Sequence, residues 1–185
     1  MDYPILRRAF WWLNKFFMVP MFRLGLGIFM GNPITSYIMV VKTTGRKTGK
    51  TRYTPVNYHI RDGCVYCTAG FGRVSHWYHN LRANPRVELI LPGRAISGVA
   101  EEVTAPEEAF SVLRQLLKET GLVGFFGGFN PFTVSEDEFR QKTEGLPVIR
   151  IRPTGLAAGP YDAGGWFWLL LAALTLAVIL AVVLG

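Results

Sequence analysis

The chain has 185 residues, 50% of them hydrophobic, and a formal net charge of +7, which is enough for one domain with a substantial core and a small appendage. The charge is lopsided: Tyr3 to Arg61 carries ten Lys or Arg and no Asp or Glu, whereas the residues beyond Arg61 hold ten basic and twelve acidic side chains. That imbalance excludes a neutral partner for the first third and leaves anionic ones: nucleic acid, lipid headgroups or a phosphorylated cofactor.

Residues 1–33 read as an N-terminal amphipathic helical segment. Arg7 and Arg8 precede a stretch rich in aromatic residues, but Lys15 and Arg23 interrupt any continuous apolar run, so a signal peptide is not expected. Two readings stand: an interfacial helix bent near Pro20, or a packing helix that covers one end of a barrel. Ser36–Thr43 then has the composition of a strand.

The next stretch, Thr43-Thr-Gly-Arg-Lys-Thr-Gly-Lys-Thr-Arg52, looks like a phosphate-binding P-loop and is not one. Only three residues separate Gly45 from Gly49 where the motif needs four, and the chain continues with Arg-Tyr-Thr-Pro-Val-Asn-Tyr, a strand sequence. A P-loop must open a helix, whose N-terminus completes the anion site. Arg52–Arg61 and Val65–Thr68 are expected to pair through an Asp62-Gly63 turn. Cys64 and Cys67 lie three apart on that second strand, facing opposite sides, and read as packing residues rather than a redox pair.

Ser75–Asn84 reads as a helix ending before Pro85. Within it, His76 and His79 lack a third ligand, so no metal site is expected. Val87–Leu91 and Ala95–Val103 form a second hairpin over Pro92-Gly93. Thr104 and Glu107 look like a capping box opening a helix with Phe110, Leu113 and Leu117 on one face, closed at Gly121. Gly121–Phe132 is apolar and glycine-rich and suits a lid over a hydrophobic ligand. A last strand, Leu146–Pro153, precedes a linker at 154–165. Residues 166–185 are twenty in number with no charge, which predicts a transmembrane helix with Trp166 and Trp168 at the interface. The expected localisation is therefore a single-pass C-terminal anchor in the membrane, with lipid as a partner and the basic domain cytoplasmic.

Five or six short strands and one well-formed helix argue for a small, partly open β-barrel over residues 34–153. The ordered set TTGRKTGKTRYTPVNYHIRDG, TAGFG and WYHNLRANPRVEL resembles the deazaflavin-dependent nitroreductase and quinone reductase family, whose members bind coenzyme F-420 or, in related branches, FMN. The resemblance covers roughly Ser36 to Val103. It implies a mostly β, α+β fold, a split β-barrel of the FMN-binding type, with the C-terminal transmembrane helix lying outside the family.

The same resemblance implies the site. Arg46, Lys47, Thr48 and Arg52 would hold the anionic tail of the coenzyme. Tyr53, Thr54, Pro55 and Val56 would lie along its ring, Thr68 and Ala69 would add contacts from the neighbouring strand, and Trp77 and Asn80 would complete the pocket. The residues also allow Trp77 to be core and Asn80 a cap. Two departures stand out: Thr68-Ala-Gly-Phe-Gly72 lacks the lysine that better-known members carry there, and no tyrosine stands between Tyr78 and Tyr161. The implied activity is hydride transfer from reduced coenzyme F-420 to a hydrophobic, quinone-like acceptor by a membrane-anchored oxidoreductase. The alternatives are an FMN-dependent reductase of the same fold or a non-catalytic flavin- or lipid-binding membrane protein. No nucleic-acid module is recognised, a homodimer is compatible with the fold, and the proton donor is left between Tyr78 and water.

Overall fold

The computed structural model describes residues 4–32, 36–120, 130, 132–157 and 167–184. In chain order the helices and strands are α1 (Pro4–Leu13), α2 (Val19–Arg23), β1 (Gly31–Asn32), β2 (Ser36–Thr44), β3 (Thr51–Arg61), β4 (Cys64–Thr68), α3 (His76–Ala83), β5 (Arg86–Leu91), β6 (Arg94–Glu102), α4 (Pro106–Lys118), α5 (Glu136–Thr143), β7 (Val148–Leu156) and α6 (Phe167–Leu184). The sheet runs β1-β2-β3-β4-β7-β6-β5, and β5 also pairs with β2. Strands β2 to β7 therefore close into a six-stranded antiparallel barrel of the split-barrel kind, and β1 is a two-residue spur on it.

Alternation builds the core. Met39 and Val41 of β2 point inward and meet Val65 and Cys67 of β4, Leu89 of β5 and Ile151 of β7, while Trp77, Tyr78 and Leu81 of α3 join the same cluster. Val40, between the two inward residues, points outward and packs with Ile90 against Met18 and Phe22 of the N-terminal helices. Each such side chain taken fully out of water contributes about 1.5–3 kcal/mol. On another outer face, Val112, Leu113 and Leu116 of α4 pack with Tyr66, Val148 and Phe139 of α5.

The N-terminal segment divides between the two readings. Met18 and Phe22 are buried on the barrel, whereas Trp11, Trp12, Phe16 and Phe17 stay exposed. Pro20 does not break the helix, because one wide turn over Asn14–Met18 precedes it, with the Val19 N–H reaching Asn14 O five residues back.

Three local expectations differ from the structure. The capping box at Thr104 does not form: the N-cap is Ala105, without a side-chain cap, and Pro106 opens the helix with Glu107 and Glu108 in its first turn. Proline pre-sets the first helical φ and the two acids favour the helix dipole, so no hydroxyl cap is needed. Helix α5 is absent from the sequence reading because its face is thin, with only Phe139 and Thr143 buried. It is held by a cap at Ser135, whose Oγ accepts the Glu138 N–H at 3.3 Å, and by the i,i+4 pairs Glu136–Arg140 and Glu138–Lys142. Strand β7 runs on past Pro153 to Leu156, with Pro153 opposite Gly98 at a bulge between Ser97 and Gly98.

The expected C-terminal transmembrane helix is corrected. Within the described residues helix α6 runs from Phe167 to Leu184. Among the described residues no helix is long and apolar enough to cross a membrane. The single-pass anchor, and the membrane localisation drawn from it, fall with it. Most of the expected lid at Gly121–Phe132, the greater part of the 154–165 linker and Trp166 lie outside the described residues.

Gly98 sits at a close approach of β6 and β7 in the barrel wall. A Cβ there would lie 2.7 Å from Ile151 Cγ2 and 2.9 Å from the Arg152 carbonyl oxygen, and backbone cannot move aside cheaply. Gly98→Ala should destabilise the fold by about 1–3 kcal/mol. At roughly 2–4 °C per kcal/mol for a chain of this size, thermal unfolding followed by circular dichroism reads the change; an unaltered Tm would mean that the bulge relaxes.

Candidate functional site

Strands β2 and β3 stay in register from Ile38 opposite Asn57 to Thr44 opposite Thr51. The chain then turns over residues 45–50, closed by the Gly45 N–H to Lys50 O at 2.9 Å and by the Thr48 and Gly49 N–H groups to Gly45 O at 3.1 and 2.7 Å. The turn leads into a strand, not a helix. Gly45 is closely packed: a Cβ would stand 3.0 Å from Thr48 Oγ1, 3.1 Å from Lys50 O and 3.5 Å from Arg52 Nε, so a side chain there would push the turn by a few tenths of an ångström. The Arg52 side chain thus folds back over the turn.

The charges of this hairpin are unusual. Arg46, Lys47, Lys50 and Arg52 are exposed, and among the described residues none has a carboxylate partner. Several cations elsewhere on the barrel are paired: Lys42 with Glu88, Arg73 with Glu102 at 2.6 Å, and Arg150 with Glu101 at 2.6 Å and Glu108 at 2.9 Å. Four like charges on one short turn repel each other, and an anion placed among them relieves that repulsion.

The expected ring-lining residues divide between two faces of β3. Arg52, Thr54 and Val56 share the inward side, where Val56 packs against the barrel core. Tyr53 and Pro55 share the other side, and Tyr53 packs beside the Met18–Phe22 cluster, with the Arg23 guanidinium 5.4 Å and the Lys42 ammonium 6.0 Å from its ring centre. Strand β4 pairs with β3 only from Tyr58 onward. The stretch from Thr51 to Asn57 therefore has β2 as its single strand neighbour, which is why Pro55, lacking an N–H, is tolerated there. This half-open edge is the split in the barrel.

The remaining expected residues make contacts within the protein. Thr68 donates its hydroxyl to Pro147 O at 2.9 Å, Ala69 is buried, and Trp77 belongs to the core cluster. Asn80 is buried as well, and its side-chain oxygen accepts from Arg46. It is not a cap, since α3 ends with the Asn84 N–H on the Asn80 carbonyl.

One residue was not anticipated. Thr43 continues the inward positions Met39 and Val41 of β2, is 2% exposed, and its hydroxyl has no hydrogen-bond partner in the described structure. With Lys42, Thr44, Thr51 and Asn84 it lines a groove of about 600 Å³ at the base of the hairpin. An orphaned buried hydroxyl is costly unless a ligand or water meets it. A polar residue at the end of an otherwise apolar inward series is the sequence signal that marks it.

Tyr78 is fully buried and donates to Glu102 at 2.6 Å, while accepting from Arg73 at 3.1 Å. Burial first, then the hydrogen bond to Glu102 and that residue's charge, raise its pKa, against the opposing Arg73 and Arg82. Tyr78 is thus a buried phenol held on both sides, by Glu102 and by Arg73. Both cysteines are free, and burial pushes the Cys67 thiol up to about 12, which leaves it without thiolate character.

The fold is a six-stranded antiparallel barrel in which a hairpin of cations without carboxylate partners among the described residues stands beside a stretch of β3 with one strand neighbour. The profile of the F420H(2)-dependent quinone reductases matches residues 23–121, and the chain belongs to the F420H(2)-dependent quinone reductase family. By family it is a deazaflavin-dependent oxidoreductase, with coenzyme F-420 as the family's cofactor. Two F420H(2)-dependent quinone reductases of Mycobacterium tuberculosis, from strains H37Rv and CDC 1551, are each 31% identical over 120 residues, covering 58% of this chain and 80% of theirs. Among solved structures, an F420-H2 dependent reductase, FDR-A, is 27% identical with a TM-score of 0.45 over 62% of this chain and 93% of its own. A domain-swapped dimer is 25% identical with a TM-score of 0.46 over 62% and 79%.

The residues present suit that cofactor: unpaired cations for its anionic tail, an orphaned hydroxyl in a polar groove, and an open strand edge with Val56 for its ring. Two measurements check the supporting framework. Tyr78→Phe should cost about 1–2 kcal/mol at pH 7 by urea unfolding. A tyrosine whose folded pKa is raised stabilises the fold fully below about pH 10 and loses that stabilisation as pH climbs through the raised value. The variant should therefore lose stability less steeply than the parent above pH 10. Cys67 should resist a thiol-alkylating reagent at pH 8 until urea unfolds the protein; rapid labelling of the folded chain at that position would contradict its burial.

Proposed function

We propose that this chain binds reduced coenzyme F-420 at the Gly45–Arg52 hairpin and the open edge of β3, and uses it to reduce a hydrophobic, quinone-like acceptor. The observation that carries this reading is the exposed turn whose cations have no acidic partner among the described residues. The bound deazaflavin supplies the hydride. The protein's residues bind and orient.

Lys47, Lys50 and Arg52 attract the phosphodiester and carboxylates of the tail. Each contributes about 1 kcal/mol if its charge stays in water at roughly 4 Å, and more where solvent is displaced. Arg52 offers a planar fork that matches two phosphate oxygens at once, and Thr48 adds a hydroxyl. On the inward side of β3, Thr54 and Val56 follow Arg52 at two-residue steps of about 6.6 Å each, so a tail held at Arg52 leads a flat ring along the open edge toward Val56. Thr43 has a hydroxyl free to meet it. Tyr53 and Pro55 act from the opposite face by stiffening the strand against the N-terminal helices. Val56, packed on the barrel core, is the apolar part of that edge against which a quinone ring would stack.

Fluorescence titration of the full chain with coenzyme F-420 and with FMN should show the deazaflavin binding at least tenfold more tightly. Absorbance should then follow oxidation of the reduced coenzyme by menaquinone. Tight FMN binding without deazaflavin affinity would overturn the cofactor assignment, and tight binding without turnover by any quinone would overturn the acceptor. Lys47→Ala and Arg52→Ala should each weaken coenzyme binding about tenfold at 10 mM salt and by much less at 0.5 M, because salt screens exposed charges beyond a few ångströms at the higher concentration.

A further inference from the structure

Arg46 behaves unlike the other hairpin cations. Its backbone N–H and its Nη1 each donate to Asn80 Oδ1 at 3.2 Å, and Nη1 also reaches the His76 carbonyl oxygen at 3.3 Å. Both acceptors lie on α3, and Asn80 is only 5% exposed. The turn is thus tied at its first cationic residue to a helix packed in the barrel core, while Lys47, Lys50 and Arg52 are left outside that tie.

From this geometry we infer that Asn80 is a positioning residue: it anchors the hairpin through Arg46, so that the other three cations stand in place before the anion arrives. The inference rests on the hairpin being the site for the coenzyme's tail. A loop ordered in advance loses less conformational freedom on binding, and the saving appears as affinity. The chemistry of the anchor matters. A carboxylate at position 80 would accept the same hydrogen bonds but would set a negative charge beneath the turn and cancel part of its attraction for an anion. Asn is a neutral acceptor that holds an arginine without neutralising the hairpin.

The test combines amide hydrogen exchange of the coenzyme-free protein with coenzyme F-420 titrations across a salt series, for Asn80→Ala, Asn80→Asp, Arg46→Ala and Lys47→Ala. In Asn80→Ala, the Arg46, Thr48 and Gly49 amides should exchange at least tenfold faster, and the coenzyme Kd should rise about tenfold with its salt dependence unchanged. Asn80→Asp should keep the exchange protection of the parent yet bind more weakly at low salt, converging on the parent at 0.5 M. Lys47→Ala should keep the protection and flatten the salt dependence.

Parental exchange in Asn80→Ala would overturn the inference, above all if affinity still fell, since Asn80 would then touch the coenzyme and not the loop. If burial makes Asn80→Ala unfold, Arg46→Ala takes its place: it removes the guanidinium bonds from an exposed position and leaves only the backbone N–H on Asn80 Oδ1, so Thr48 and Gly49 should exchange faster by a smaller factor, and parental exchange there would overturn anchoring through the Arg46 side chain. A parent chain that shows the exchange pattern but binds no coenzyme would overturn the tail-site reading and leave the anchor standing.

Discussion

Strand β2 carries the structure because it is paired on both edges. Val40 faces Pro55 of β3 on one side and Ile90 of β5 on the other, and Val41 likewise faces Thr54 and Leu89. A strand with two partners satisfies both rows of backbone groups and leaves no sticky edge. Closure then dictates the direction of every neighbouring side chain: Met39 and Val41 inward, Val40 outward against Phe22. It also brings the turn after Thr44 to the barrel rim, beside α3, and leaves the first half of β3 with one strand neighbour. The candidate site arises from how the barrel closes, with no separate element devoted to it.

The charge asymmetry of the chain becomes a spatial asymmetry by the same closure. Glu101 and Glu102 end β6 and lie against cations from beyond Arg61: Arg150 and Arg152 bond Glu101, and Arg73 bonds Glu102. Glu88 of β5 takes Lys42 from its neighbour β2. Arg150, gripped by Glu101 and bonded to Glu108, has its pKa raised further and serves as a permanent strut. Such half-exposed pairs contribute modestly to stability. Their greater consequence is that they use up the acids near the barrel wall, so the positive charge at residues 46–52 remains available to a ligand.

The features legible in the chain were those that depend on near neighbours. The hairpin over Asp62-Gly63, the strands on either side of the basic turn and the failure of that turn to be a P-loop all come from local spacing and turn chemistry. Helix α5 was not legible because Glu136–Thr143 offers almost no apolar stripe; its support comes from short-range ion pairs and from Phe139 entering a cluster with Phe110 of α4. The Thr104 capping box misled because two start signals stand side by side, and Pro106 opens the helix with Ala105 as its N-cap. The apolar run at the C-terminus misled because composition counts apolar residues without fixing the helix they form, and among the described residues no helix is long and apolar enough to cross a membrane.

By itself the sequence determined the family, the class of cofactor and the cationic turn, because a run of unpaired Lys and Arg and the order of short motifs need no partner to be read. Only the tertiary structure decided which of those residues act together. Strand register set Arg52, Thr54 and Val56 on one face and Tyr53 and Pro55 on the other. Packing of α3 set the Asn80 side chain against Arg46, 34 positions away in the chain, and closure of the barrel buried the Thr43 hydroxyl with no partner among the described residues. Contacts between residues so far apart in sequence leave no local trace, since each side chain would have the same spacing and chemistry whichever way the chain closed.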